Sequence, residues 1–273
     1  MKGISVIELT EHNFIGKERH SSKGNQLKWR VKDWWYKADY TGYEGYAEYM
    51  CASLMRSADI TQQFVGYETE QICYKGHIFR GCKSKNFLRP GWQMITLERL
   101  FQNQYGRSLA AAIYVIEGAE ERVRFLVEQV ELLTGLKNFG NYLLELLTMD
   151  AIFLNEDRHM HNIAVLMDPQ GGYAVCPFFD FGAALLADTT MDYPLDEDVY
   201  ELMDQVKSKT VHEDFQTGVE AAERLCGRQI RLRFDYRDIL EAQQAEPYYP
   251  EDVKKRVQTV LLEQRRRYAY LFQ

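Results

Sequence analysis

Residues 155–182 read NEDRHMHNIAVLMDPQGGYAVCPFFDFG, and this stretch carries three residues suited to magnesium and phosphate: Asp157, Asn162 and Asp180. An aspartate followed five positions later by an asparagine, with a second aspartate closing an apolar run before Gly182, is the spacing that phosphoryl transfer needs. Ile163 to Met167 reads as a strand leaving the first loop, and Tyr173 to Phe179 as its antiparallel return across the turn 168–172. Such a hairpin brings Asn162 and Asp180 side by side. Magnesium takes a few protein oxygens and completes its shell with phosphate and water, so an amide and a carboxylate beside an open cleft suit it.

His159 and His161 in the same stretch raise a metal-hydrolase reading. It is the weaker one, because helical zinc ligands sit three or four apart and no HExxH or paired CxxC completes a site. His159 is expected to pack or hydrogen-bond under the loop and point Asp157, with His161 near a nucleotide or exposed.

Composition bounds the rest. At 273 residues the chain can bury a large core and is long enough for one bilobal unit or two small domains. A net charge of -7 with both signs interspersed gives no nucleic-acid footprint, and Arg265-Arg266-Arg267 reads as a solvated helix face. Five cysteines, odd in number and without metal spacing, fit reduced thiols in a cytoplasmic protein. The amino-terminal residues lack a signal-peptide core and nowhere do eighteen apolar residues run together, so a soluble chain with no membrane span is expected.

The pattern of elements changes near residue 90. Before it, Lys28 to Tyr36, Phe64 to Glu70 and Gln71 to Arg80 read as strands, with Tyr43 to Ser57 as the one clear helix. Beyond it, helical periodicity runs over Leu97 to Gln104, Ala119 to Thr134 and Asn138 to Met149. It resumes after the hairpin over Asp196 to Ser208, His212 to Leu225, Tyr236 to Ala245 and Pro250 to Leu271. Sheet first and helices later predict an α+β chain of two lobes, a small β-rich one over residues 1–88 and a larger helical one over 89–273.

The small lobe supplies further candidates. Ser21 to Gln26 is a polar, glycine-containing turn whose backbone N–H groups would wrap phosphates. Lys37 falls in the next strand, where alternation points its ammonium into the cleft while neighbouring aromatics pack away. A phosphate-holding lysine needs a carboxylate to fix it, and Glu44 and Glu48 lie four apart on the following helix. Glu44 shares a face with Ala47, Cys51, Leu54 and Ala58 and is favoured over Glu48.

SSKGNQLKW, WWYKAD with GYEGYAEY, NEDRHMHN and FDFG, in this order, resemble the HipA-like serine/threonine kinases, particularly their short stand-alone CtkA-type branch. The resemblance runs by motif from about Ser21 to Gly182. It implies a bilobal protein-kinase-like fold using ATP and Mg2+ on a protein substrate. Asp157 would be the catalytic base, and Asn162 and Asp180 the metal ligands. Lys37 would hold nucleotide phosphates, with Gly24, Asn25, Gln26 and Lys28 forming the phosphate loop. His159 would sit near ATP, and Phe179 would line the floor of the nucleotide pocket. The adenine-contacting hinge would lie between Lys83 and Phe87, after a last strand ending at Arg80-Gly81-Cys82. In toxin members a phosphate-loop serine is autophosphorylated and the loop expelled; Ser21 and Ser22 sit near that place. No room is expected for the larger amino-terminal domain of longer members, so their antitoxin and DNA complexes are not expected to carry over.

Three rivals share the sequence. A phosphatidylinositol-type lipid kinase has the same DRHxxN and DFG pattern but would need a basic membrane-binding surface. A small-molecule phosphotransferase would need an acidic acceptor pocket, which Asp188, Asp192, Asp196, Glu197 and Asp198 would form. A nucleotide-binding pseudokinase module would bind without chemistry.

Overall fold

Alternating aromatic and β-branched residues build the first layer. The structure, a computed structural model, describes residues 6–17 and 26–273. Strands β1 (Val6–Leu9), β2 (Phe14–Lys17), β3 (Leu27–Val31), β4 (Trp34–Ala38), β5 (Tyr67–Tyr74) and β6 (His77–Lys85) form a sheet in the order β1-β5-β6-β4-β3-β2. β1 runs parallel to β5 and the other pairs are antiparallel. One face buries Leu9, Trp29, Tyr36, Ala38, Ile72 and Tyr74 as a small core of its own. Trp29 packs edge-on against Tyr74 with ring centres 5.1 Å apart. The other face receives helix α1 (Glu44–Met55), which joins β4 to β5.

The reading of Lys28 to Tyr36 as one strand is corrected to two, β3 and β4, turned at Lys32 and Asp33. The later hairpin turns at Lys75 and Gly76 rather than near Glu70, because both have the positive φ (52° and 77°) that a two-residue hairpin loop needs. β6 therefore continues past Cys82 to Lys85, where Lys83, Ser84 and Lys85 pair with Tyr36, Trp35 and Trp34. Lys83 to Lys85 are strand residues, and the chain leaves the sheet at Asn86 and Phe87.

The second half is helical around a small second sheet. Helices α2 (Leu97–Tyr105), α3 (Leu109–Tyr114), α4 (Ala119–Thr134) and α5 (Phe139–Phe153) precede the hairpin of β8 (Ala164–Met167) and β9 (Tyr173–Val175). A strand not anticipated, β7 (Gln93–Thr96), pairs antiparallel with β8 and makes the sheet three-stranded. Helices α6 (Val199–Gln205), α7 (Phe215–Cys226), α8 (Tyr236–Ala245) and α9 (Glu251–Arg267) follow. Starts and stops obey local chemistry: Thr96, Ser108, Asp198, Asp214 and Asp235 cap N-termini, and left-handed Gly106, Gly135 and Gly227 end α2, α4 and α7. Capping by Asp198 and Asp214 starts α6 and α7 three residues later than periodicity suggested.

Helix α5 is the axis of this half. Thirteen of its residues are buried, so it has no solvent face, as expected of a helix apolar nearly all round. Its buried acids are paired: Asp150 with Arg158 at 3.0 Å, and Glu145 with Arg228. Glu145 also accepts from the backbone N–H groups of Thr61 and Gln62, tying α5 to the segment between α1 and β5.

Candidate functional site

Strand alternation places Tyr36 and Ala38 in the aromatic core and Lys37 on the opposite face, beside Lys28 of β3 and Cys82 of β6. Lys37 Nζ donates to Glu48 Oε1 at 2.6 Å and to Asp180 Oδ1 at 2.9 Å, and stands 5.6 Å from the Tyr67 ring. Burial alone would lower the Lys37 ammonium, but Asp180 and Glu48 together push it well above its ordinary value. Burial likewise opposes ionisation of Asp180, yet Lys37, and then Lys28, hold that carboxyl far below the usual range. The cleft thus contains a charged lysine and a charged aspartate at neutral pH.

The partner of Lys37 is Glu48, which corrects the preference for Glu44. Helix α1 lies between β5 and β6 on one side and α8 on the other, so nine of its residues are buried and it has no single inward stripe to read. Glu48 is 1 % exposed, and its second oxygen accepts from the Phe181 amide at 2.8 Å. It therefore ties α1, β4 and the 180–182 segment together. Glu44 does a different task in its first turn, accepting from the backbone N–H groups of Tyr40, Thr41 and Gly42. Its side chain also lines the cleft.

The loop after α5 builds the other wall. Leu154 takes a left-handed φ of 50° and stops the helix. Arg158 then turns inward: its guanidinium bonds Asp150, donates to the carbonyls of Asn162 (3.0 Å) and Phe179 (2.6 Å), and stacks 4.7 Å from the centre of the Phe181 ring. One buried cation thereby fastens the 157–162 loop to the segment after β9 that delivers Asp180. Asp180 itself has φ of +62°, a conformation aspartate tolerates better than most side chains. Asn162 Nδ2 donates to the Asp157 carbonyl at 2.9 Å. That bond commits the nitrogen and leaves the amide oxygen as the atom with which Asn162 could meet a cation.

Asp157, Asn162 and Asp180 line one cleft with Gln26, Lys28, Thr41, Gly182, Ala183 and Asp188. His159 Nε2 stands 3.8 Å from Asp157 Oδ2, and burial first of all lowers its pKa, so the ring is neutral at pH 7. His161 is exposed. Phe179 lies 6.2 Å from Phe87, at the point where the chain crosses between the two halves. Gly24, Asn25, Ser21 and Ser22 lie outside the described residues. Among the described residues no group of three or more His, Cys, Asp and Glu is placed to hold a metal ion. A cation bound by Asn162 and Asp180 would therefore take its remaining ligands from phosphate and water, as magnesium does.

Two residues that sequence reasoning passed over belong here. Glu48 carried a signal, its spacing from Lys37, but ranked second. Lys209, 52 positions beyond Asp157, donates to Asp157 Oδ1 at 3.0 Å. No local pattern links the two.

No protein-family model and no curated protein matches the chain. Among solved structures it is similar to the proinflammatory kinase CtkA of Helicobacter pylori, with a TM-score of 0.58 at 17 % identity over 96 % of this chain and 94 % of that one. The fold is that of the HipA-like kinases. A second neighbour comes from the HipA, HipB and operator DNA complex of Shewanella oneidensis, with a TM-score of 0.50 at 16 % identity. That match covers 93 % of this chain and 66 % of the neighbour. In this kinase-like fold the β-rich half carries Lys37 and Glu48, and the helical half carries Asp157, Asn162 and Asp180.

Proposed function

We propose that this protein is an ATP-dependent protein kinase that transfers the γ-phosphate to serine or threonine hydroxyls. The observation that carries the reading is the convergence of Asp157, Asn162 and Asp180 on one cleft, with the Lys37–Glu48 pair bonded to Asp180 through the lysine. Residues 1–88 act as the nucleotide lobe and 89–273 as the catalytic lobe. Gln26 and Lys28, which line the cleft, hold phosphates together with Gly24 and Asn25.

Asp157 orients the acceptor hydroxyl and takes its proton. Asn162 and Asp180 hold magnesium, which when bound neutralises charge on the phosphates. Lys37 and Asp180 compensate each other in the described structure. Asp180 would turn to the magnesium and Lys37 to the phosphates, so each charge would keep a partner while Glu48 holds Lys37 in place. Positioning and electrostatics provide most of the rate, because phosphoryl transfer passes through a loose transition state. Phe179 and His159 border the nucleotide. Phosphorylation of Ser21 or Ser22 by the same site would place about two negative charges beside those of the nucleotide and expel the loop.

Among the described residues no helix is long and apolar enough to cross a membrane. All five cysteines are free thiols, which fits a reducing cytoplasm. Incubation with γ-labelled Mg-ATP, alone and with cell lysate, tests the reading. Label on protein serine or threonine that vanishes in Asp180→Ala is the expected result. Label on lipid or on a small molecule instead would move the acceptor class, and nucleotide binding with no transfer would leave a pseudokinase module.

A further inference from the structure

Asp157 is approached from both sides. Its Oδ1 accepts from Lys209 Nζ at 3.0 Å, while His159 Nε2 stands 3.8 Å from its Oδ2. Lys209 belongs to the segment 206–214 between α6 and α7. That segment is anchored on each side of the lysine. Thr210 Oγ1 donates at 2.7 Å to the carbonyl of Arg158, the residue next to Asp157. Arg122 donates at 3.1 Å to the Val211 carbonyl, and the Ser208 amide donates at 2.8 Å to the Glu213 carbonyl. Thr210 and Val211 are buried, and Lys207 turns away to an exposed pair with Glu213. The backbone thus delivers the Lys209 ammonium, and no other side chain of its segment, to the carboxylate.

An ammonium bonded to Asp157 Oδ1 is a poor neighbour for a general base, since it occupies an oxygen on which the acceptor proton would have to land. Its presence makes sense if the cation has a second partner once substrate is bound. The other cations nearby have their own places: Arg158 is 1 % exposed and bonded to Asp150 and two carbonyls, Lys37 bonds Glu48 and Asp180, and Lys28 lines the cleft from β3 beside Gln26, on the phosphate-holding side. Lys209 differs. Its side chain is 43 % exposed beside a carboxylate that is 9 % exposed, so the ammonium has room to rotate away from Asp157 without moving the anchored backbone.

We propose that Lys209 is a catalytic residue that donates a hydrogen bond to a non-bridging oxygen of the γ-phosphoryl group during transfer. The inference rests on the kinase reading above. In the step, the acceptor oxygen bonds to the γ-phosphorus as the bond from that phosphorus to the β,γ-bridging oxygen breaks. The released electron pair stays on the β-phosphate of ADP, and the acceptor proton passes to Asp157. Lys209 keeps its own proton throughout. It moves from Asp157 to the phosphoryl oxygens, which frees the base as it neutralises the group in flight.

The test compares binding of Mg-ADP with binding of Mg-ADP plus aluminium fluoride, a planar mimic of the phosphoryl group, alongside turnover. The proteins are the full-length wild type, Lys209→Met and Lys209→Arg. The wild type should bind the fluoride complex much more tightly than ADP. Lys209→Met should lose on the order of 100-fold of that preference and of kcat, the usual loss for one transition-state donor, with ADP affinity and KM for ATP nearly unchanged. Lys209→Arg should recover part of both. Full kcat and full fluoride preference in Lys209→Met would overturn the inference and leave a surface ion pair. Equal losses for ADP and for the fluoride complex would also overturn it, since Lys209 would then serve only ground-state binding or folding. A wild type that transfers no phosphate and shows no fluoride preference would instead sink the kinase reading, taking this inference with it.

Discussion

At the scale of single residues, the two glutamates of α1 show how one helix turn separates two tasks. Glu48 fixes Lys37 and the Phe181 amide, so Glu48→Gln should lower phosphate transfer on the order of 100-fold through misplacement of the lysine, with little change in melting temperature. Glu44 instead satisfies backbone donors at the start of the helix, and Glu44→Ala should cost about 1–2 kcal/mol of stability by chemical denaturation. The reverse outcome, with Glu44→Ala unaltered in stability and Glu48→Gln fully active, would reassign the pair. Asp39 gives a pH signature. Its carboxyl accepts from the Gly45 amide at 2.7 Å and the Tyr249 hydroxyl at 2.6 Å, yet burial, and then the nearness of Glu44, push its pKa from 3.8 up to about 8. An acid whose pKa rises on folding binds its proton more tightly in the native state. Its contribution therefore falls as pH rises through the window from 3.8 to about 8. Asp39→Asn removes that titration. The stability difference, wild type minus Asp39→Asn, should decline across this window in urea melts, and a flat or rising difference would contradict the assignment.

At the scale of elements, α1 packs on β6 through Gly45, which faces the Gly81 backbone, while Gly81 faces the neighbouring strand β4. A Cβ on Gly45 would stand 2.5 Å from the Gly81 carbonyl carbon, and one on Gly81 would stand 2.0 Å from the Lys37 carbonyl oxygen. Both contacts are to backbone, which cannot rotate away. Gly45→Ala should therefore lift α1 off β6, cost more than ~2 kcal/mol as overpacking does, and separate Glu48 from Lys37. Loss of stability and of nucleotide-dependent transfer together is the expected result; a stable, active Gly45→Ala protein would mean the helix has room to shift. The hairpin of β8 and β9 was readable from its turn, where Asp168 Oδ1 accepts from the amides of Gln170 and Gly172, but β9 ends at Val175 rather than Phe179, because its pairing with β8 stops at Val165. Strand β7 was not readable. Its four residues carry no alternation of burial, and its pairing with β8 spans about seventy residues of chain. Leu185 and Leu186 are equally illegible: both are buried with positive φ (57° and 60°), held where the Tyr43 hydroxyl donates to the Leu185 carbonyl and the Leu185 amide donates to the Phe153 carbonyl. Nothing in a leucine pair announces a left-handed turn.

At the scale of the whole molecule, the carboxy-terminal helices clasp the β-rich half from behind. Tyr249 stacks on Tyr46 at 4.9 Å and bonds Asp39, Tyr49 bonds the Ala242 carbonyl, and the backbones at Ser57 and Asp59 bond those of Arg233 and Arg231. The main hydrophobic core runs from Tyr43 to Leu271 across both halves. Three of the four tryptophans, Trp29, Trp34 and Trp35, lie in the first sheet, whereas far-ultraviolet circular dichroism reports mainly the helices. The two signals should therefore melt together in the wild type, and Tyr249→Ala should weaken that coincidence. Separate wild-type transitions would show two independently folding units. By itself the sequence determined the order of sheet and helices and the spacing of Asp157, Asn162 and Asp180, because each rests on contacts within a few turns or one hairpin. Tertiary structure decided the rest. It chose Glu48 over Glu44, because α1 is covered on both sides and its own pattern no longer says which face looks inward. It also set Lys209 against Asp157, because that contact depends on how α6 and α7 pack around α5, a relation between distant segments that local spacing does not encode.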